Sequence, residues 1–226
     1  KLEEKLIHAK KNNCLPKLLI TVHLSGNPVN QKKIYELSKK FNFIIIEDAS
    51  HALGSVNKKY QIGSNKYCEI TIFSFHPVKT ITSAEGGAIT TNNKKIYEKL
   101  IMLRENGVTK NHKKFKYNKL WPFAYEQHSL GYNFRMADLN ASLGNSQLKK
   151  IDYFVKARNK IASTYIKELN SLPLTLPSVD INSKSSFHLF IIRVEESLKL
   201  RNELMLFLKE KNIYTNLHYF PIHLQP

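Results

Sequence analysis

Two hydrophobic periods alternate along this chain. Residues 1–13 are rich in charge, and Leu2, Leu6 and Ala9 are spaced to share one helical face. This predicts a helix lying on a sheet, broken by Pro16. Residues 17–24, KLLITVHL, are an apolar run of the kind a buried strand shows. Ser25-Gly26-Asn27-Pro28 predicts a turn. Helical spacing returns over residues 30–40, through Ile34, Leu37 and Ser38, and residues 43–47, FIIIE, predict a second buried strand. Strand, helix, strand implies a right-handed parallel crossover and hence an α/β sheet. Residues 55–66 are polar, with Gly63, and predict a surface excursion. Residues 67–75 and 88–91 are β-rich and predict two further strands.

The second half is more helical. Residues 94–105 place Ile96, Leu100 and Leu103 on one face, and Asn106-Gly107 predicts the C-cap. Residues 108–127 form a long irregular stretch with Lys110, Lys113, Lys114, Lys116 and Lys119, and structureless loops of this length tend to be functional or mobile. From 137 to 170 apolar residues recur at helical spacing, with Gly144 allowing a close approach. Residues 172–178, with Pro173 and Pro177, predict an extended linker. Residues 187–194, FHLFIIRV, predict a core strand, 197–211 an amphipathic helix and 213–217 a last strand. The pattern divides the chain into residues 1–150, a large domain, and 151–226, the start of a smaller α/β domain. The chain has no initiator methionine and stops inside a motif-like stretch, so both units are expected to be incomplete.

Composition narrows the classes. With 226 residues, 42% hydrophobic, the chain can bury a real core. Two cysteines, Cys14 and Cys68, without a CxxC, exclude a disulfide scaffold or a cysteine-rich zinc site and suit a reducing, cytoplasmic setting. No apolar run approaches a membrane span. The net charge of +17 invites a nucleic-acid reading. Arginines are few, however, namely Arg104, Arg135, Arg158, Arg193 and Arg201, which leaves 30 of the 35 basic residues as lysine. They are scattered, whereas base and phosphate readout favours clustered arginine. The field instead suits attraction of a small anion. No GxGxxG follows a strand, which excludes a Rossmann dehydrogenase.

The candidate chemistry lies in two stretches. In residues 70–91, ITIFSFHPVKTITSAEGGAITT, one lysine, Lys79, stands in a short loop between two buried strands. Read alone, Lys79 is a surface lysine in a turn. Desolvated, it is partly the neutral amine that attacks a carbonyl to give a Schiff base. Ser74, five residues earlier, can hold a phosphate beside that carbon. Pyridoxal 5'-phosphate (PLP) enzymes need this pairing of a lysine and an anion site. In residues 43–54, FIIIEDASHALG, Glu47-Asp48 end a strand at the edge where open α/β sheets bind ligands. Asp48 can pair with a pyridine nitrogen and keep it protonated, or serve as a helix N-cap. His51 is close enough to face the same ring. His23 has two readings, as a wall of the site or as a histidine bonded within the core. His188 reads as a core histidine.

EDASHALG, FSFHPVKTITSAEGGAITT and LGYNFRMADLNASLGNSQL (residues 130–148) together resemble the DegT/DnrJ/StrS-type sugar aminotransferases, from about Pro16 to Pro226. The tryptophan-containing YEQ stretch and the closing HYFPIHLQP are closest to the branch serving pseudaminic acid biosynthesis. The resemblance implies the aspartate-aminotransferase-like fold, with a large domain on a mostly parallel sheet and a smaller C-terminal α/β domain. It implies PLP as cofactor, glutamate and a 4-keto nucleotide-sugar as substrates, and a homodimer with shared sites. Lys79 is then the PLP lysine and Asp48 the pyridine partner. His51 lies at the ring, Ser74 is a phosphate ligand, and Asn133 reaches the partner subunit's phosphate. Arg135 binds an anion or, more simply, pairs with a carboxylate. The 108–127 stretch is a loop near the site in the dimer or a solvated basic excursion. Further phosphate contacts and an aromatic stacked on the cofactor are expected upstream of Lys1. Rivals are a dehydratase of the same fold, against which the retained lysine argues, a non-catalytic scaffold protein, and a nucleic-acid-binding module.

Overall fold

A computed structural model describes residues 1–58, 60–117 and 123–226. Helix α1 (Leu2–Lys11) is followed by strand β1 (Leu18–Val22), helix α2 (Gln31–Phe41) and strand β2 (Ile44–Asp48). A short hairpin of β3 (Val56–Asn57) and β4 (Tyr60–Gln61) precedes β5 (Ile70–Ser74) and β6 (Gly87–Thr90). Helix α3 (Lys94–Arg104) leads to the small ladder of β7 (Val108–Thr109) and β8 (Glu126–Gln127), and then α4 (Asp138–Leu148), α5 (Ile151–Leu169) and α6 (Leu198–Glu210) follow. The main sheet has the order β1-β2-β5-β6. The first three strands are parallel and β6 is antiparallel to β5. The fold is thus the expected α/β class, with the predicted crossover through α2.

Alternation along the strands separates the two faces of the sheet. On one face Ile45 joins Phe41, Phe43 and Leu6 in a buried cluster that takes in Leu19 and Leu37. Each such side chain, fully buried, contributes roughly 1.5–3 kcal/mol. Helices α1 and α2 cover this face, which is why their apolar stripes recur at helical spacing. Asn30 caps α2 by accepting from the Lys33 backbone N–H at 3.3 Å. On the other face Ile20, Val22, Ile44, Ile72 and Ile89 are exposed. This second face carries Asp48 and Ser74 at its carboxyl edge.

Four expectations are revised. Residues 55–66 are no surface excursion, because Ser55, Asn57, Ile62 and Asn65 are buried. Their polar groups are satisfied inside, since Ser55 Oγ donates to the Gly26 carbonyl at 2.7 Å and Asn65 Nδ2 to the Thr90 carbonyl at 3.0 Å. A polar segment can therefore turn inward when each group meets a partner. Residues 187–194 form no strand. Among the described residues their one ladder contact is a bridge between Thr175 and Arg193, too little pairing to make an apolar run a strand. Residues 213–217 likewise form no strand. The helical run at 137–170 is two helices, α4 and α5, broken at Lys149-Lys150. Lys119 and the tryptophan of the YEQ stretch, Trp121, lie outside the described residues.

Residues 185–188 are strapped onto the first half of the chain. Ser186 Oγ donates to the His51 carbonyl at 2.8 Å, and the Ser186 N–H donates to Ser55 Oγ at 3.0 Å. Helix α5 packs on Gly54 through Ile151 and Val155, and its Arg158 donates to the Phe187 and His188 carbonyls, both at 3.2 Å. Gly26 makes this strap possible. Its φ is +89°, and a Cβ there would collide with Ser186 Oγ. Gly26→Ala should therefore cost about 2–5 kcal/mol, from left-handed strain and overpacking together. Urea denaturation measures it, and a cost within about 0.5 kcal/mol, typical of an unconstrained surface site, would show that the strap does not depend on close approach.

Candidate active site

Register decides which carboxylate reaches the site. Asp48 pairs with Ile72 across β2 and β5, so its side chain shares a face with Ile72 and, two residues on, with Ser74. Its Oδ1 accepts from the Ser50 N–H at 3.0 Å. Among the described residues Oδ2 has no partner. Glu47, the adjacent carboxylate, points to the opposite face, is 3% exposed and accepts from Thr71 Oγ1 at 2.8 Å. His23 belongs to that buried side as well. It is fully buried, its Nδ1 accepts from the Val29 N–H at 3.2 Å, and its Nε2 lies 3.8 Å from Glu47. Of its two readings, the structure selects the core.

The lysine loop is closed at its neck and anchored on its far side. The Phe75 N–H donates to Gly86 and the Ser83 N–H to Phe75, both at 2.9 Å. Thr80, Ile81 and Ser83 are buried, so the half-buried Lys79 rides on a fixed loop. Asn140 of α4 donates from Nδ2 to the Ser83 carbonyl at 2.7 Å and to the Glu85 carbonyl at 3.3 Å. The Glu-Gly-Gly segment explains itself here. A Cβ on Gly87 would strike the Phe73 carbonyl of the paired strand, and Gly86 has φ +149° against Met136 and Ser83. Ser74 Oγ accepts from the His76 N–H at 3.4 Å, which leaves its hydroxyl proton to donate elsewhere.

His51 joins these groups. Its Nδ1 accepts from the Ser25 N–H at 3.3 Å, and its Nε2 faces the Tyr219 hydroxyl at 3.3 Å. Burial lowers its pKa, the Lys79 charge lowers it further, Asp48 opposes this and His218 adds to it. The tyrosine is pushed up by burial and then by Asp48. Three segments far apart in sequence therefore share one electrostatic site. His188 lies in it too, its ring centroid 4.4 Å from that of His51. Burial first, then His51, Lys79, Arg158 and His218, drives the His188 imidazole down to about 3.

Of the five residues singled out by sequence, Asp48, His51, Ser74 and Lys79 gather at the carboxyl edge of β2 and β5. Asn133 does not join them within this chain. It is exposed, its backbone bridges Glu105, and its Oδ1 accepts from Arg135 Nε at 3.0 Å. The carboxylate pair expected for Arg135 is absent among the described residues. His188, Tyr219 and Asn140 are the site-side residues that sequence reasoning passed over. His188 looked like one apolar-run histidine among several, and only the closing HYFPIHLQP hinted at Tyr219.

A lysine, a carboxylate with one free oxygen and a hydroxyl donor at the carboxyl edge of a parallel sheet fit PLP, whose aldehyde, pyridine N–H and phosphate they complement. This is the architecture of the PLP-dependent aminotransferases. The chain belongs to the DegT/DnrJ/EryC1/StrS aminotransferase family, whose pattern matches residues 2–226. It is 38% identical over 226 residues to the UDP-4-amino-4,6-dideoxy-N-acetyl-beta-L-altrosamine transaminase of Campylobacter jejuni strain 81-176, covering 99% of this chain and 56% of that one. Among solved structures it is similar to PseC of Helicobacter pylori, an aminotransferase involved in the biosynthesis of pseudoaminic acid, with a TM-score of 0.84 and 30% identity over 97% of this chain and 57% of that one. Spr1654 of Streptococcus pneumoniae in its PLP form matches with a TM-score of 0.78 and 28% identity, covering 92% and 56%. The chain spans about half the length of the curated relatives it matches.

The depressed His188 pKa has a consequence for stability. The unfolded imidazole takes its proton near 6.5, whereas the folded one resists until about 3. Between these values the unfolded chain binds more protons, so stability falls as pH falls through that window and is fully present above it. His188→Phe removes this contribution. Its unfolding midpoint should decline less steeply than that of the parent protein between pH 6.5 and 3, and parallel declines would contradict the assignment.

Proposed function

We propose that the protein to which this chain belongs transfers an amino group from glutamate to the keto carbon of a 4-keto nucleotide-sugar, of the UDP-4-keto-6-deoxy-N-acetyl-hexosamine type, in a ping-pong reaction. The observation that carries this reading is the convergence of Lys79, Asp48 and His51 at one sheet edge, in a chain alike over nearly its whole length to a nucleotide-sugar transaminase. The product would serve surface polysaccharide or flagellin glycan synthesis. The division near residue 150 into a PLP-binding unit and a smaller second unit belongs to the same proposal.

Each residue has a task in this reading. When bound, PLP supplies a carbonyl carbon for an amine and an electron sink for the carbanion left by deprotonation. Lys79 would hold the group through its Nζ, and that amine, once free, would take up and return the proton at the reacting carbon, a role worth about 10²–10⁴ in rate. Asp48 Oδ2 would accept from the pyridine N–H and keep that nitrogen protonated, Ser74 Oγ would donate to the phosphate, and His51 would border the ring. Asn133, exposed and unattached to this chain's own site, serves the partner subunit's phosphate in a homodimer.

The positive field of the chain, +17 in net charge, favours arrival of an anionic nucleotide-sugar. Both cysteines are free, in keeping with a cytoplasmic enzyme. No described helix is long and apolar enough to cross a membrane. Retention of Lys79 favours transfer over the dehydratase chemistry of the same scaffold.

Two measurements test the proposal. In the full-length protein supplied with PLP, glutamate and a panel of UDP-4-keto sugars, Lys79→Ala should reduce amino transfer by at least about 10²–10⁴ while leaving the fold intact. Equal turnover by parent and variant would overturn the assignment. For the shared site, Lys79→Ala and Asn133→Ala subunits, each inactive as a homodimer, should regain activity when mixed, because a mixed dimer holds one intact site. No recovery in a verified mixed dimer would place Asn133 within its own subunit's site.

A further inference from the structure

His188 lies outside the residues given a role above, yet it is held as firmly as any of them. It is 9% exposed, Arg158 binds its carbonyl, and the serine strap fixes the segment on which it stands. Its ring packs on the His51 ring at 4.4 Å with a 42° tilt. Its Nδ1 is buried and, among the described residues, has no hydrogen-bond partner. A second proton on His188 would therefore bury an N–H with nothing to accept it, at a cost comparable to a lost hydrogen bond. The ring stays neutral on geometric grounds, with its proton on Nε2.

The same logic reaches His51. Its Nδ1 already accepts the Ser25 N–H, so a proton placed on Nδ1 would face another N–H. That leaves the proton on Nε2, directed at the Tyr219 hydroxyl. The neutral His188 ring covers one side of the His51 ring and excludes water from it. We propose that His188 is a positioning residue that, with the Ser25 backbone, locks His51 as a neutral imidazole carrying its proton on Nε2, so that His51 is a permanent hydrogen-bond donor to the site and not its proton carrier. The inference rests on the reading that His51 borders the cofactor, and it leaves Lys79 as the group that moves the proton.

The charges around the pair act in the same sense. Lys79 and His218 oppose protonation of both rings and Arg158 opposes it at His188, whereas Asp48 alone favours it at His51. Tyr219 is the facing acceptor and carries no charge, since burial and Asp48 raise its pKa.

The test is ring NMR of the full-length protein labelled with ¹³C,¹⁵N-histidine, with the His51 signals assigned by their loss in His51→Gln. In the parent protein His51 should show the neutral Nε2–H pattern and titrate below the ordinary imidazole value of 6.5. In His188→Ser, which admits water beside the ring, His51 should titrate at a higher pH than in the parent protein and populate both tautomers. His188→Phe keeps a covering ring and should preserve the parent pattern. Should His188→Ser not fold, His188→Gln provides the same comparison. The proposal is overturned if His51 in the parent protein titrates at the ordinary value or carries its proton on Nδ1. It is also overturned if a folded His188→Ser or His188→Gln leaves the His51 signals unchanged. The measurement is made without PLP and repeated with it. A locked His51 in a protein that never binds PLP would defeat the cofactor reading and leave this inference standing.

Discussion

The parallel register of β2 and β5 is the constraint on which the site depends. Side chains alternate every residue, so a slip of one position would exchange Asp48 for Glu47 at the carboxyl edge. The observed pairing of Asp48 with Ile72 sends Asp48 to the open face beside Ser74 and buries Glu47 against Thr71. Burial of Phe43 and Ile45 beneath α1 and α2 enforces that choice, because a slip would expose both. The core thus selects, through the period of the strand, which carboxylate faces the candidate site.

Lys79 depends on a second device. A lysine needs a rigid mount to act on one atom, and here the mount is a loop closed by Phe75, Ser83 and Gly86 and braced by Asn140 of α4. The His51 loop is braced in turn by the strap at residues 185–188. Elements from both halves of the chain therefore hold one site, and the residues that do so are mostly serines, asparagines and glycines. Buried networks of this kind specify geometry when every member is satisfied. Among the described residues a few buried polar atoms stay unpaired, His23 Nε2 in the core and His188 Nδ1 beside His51 among them, and an unpaired group of this kind calls for an explanation.

Much of this was legible in the sequence. The three parallel strands stood out as β-rich apolar runs, and Lys79, Ser74, Asp48 and His51 stood out because each is the kind of group a PLP site needs at a strand end. What stayed hidden depended on long-range pairing. The polar segment at 55–66 turns inward because its partners, Gly26 and Thr90, come from other elements. Residues 187–194 have the composition of a strand but, among the described residues, pair only through the single bridge of Arg193 with Thr175. His188 and Tyr219 reach His51 across 137 and 168 positions of chain, a proximity that no local pattern encodes. Asn133 is different again, because a role toward a second subunit leaves no mark within one chain.

The proposed chemistry stands or falls with Lys79 as the residue that bonds the cofactor. The most direct test is to load the full-length protein with PLP, reduce it with borohydride and map the modified peptide. A pyridoxyl group is expected on Lys79, in the peptide that also holds His76 and Pro77. A folded, PLP-treated protein with no modification there, or with the label on another lysine, would contradict it.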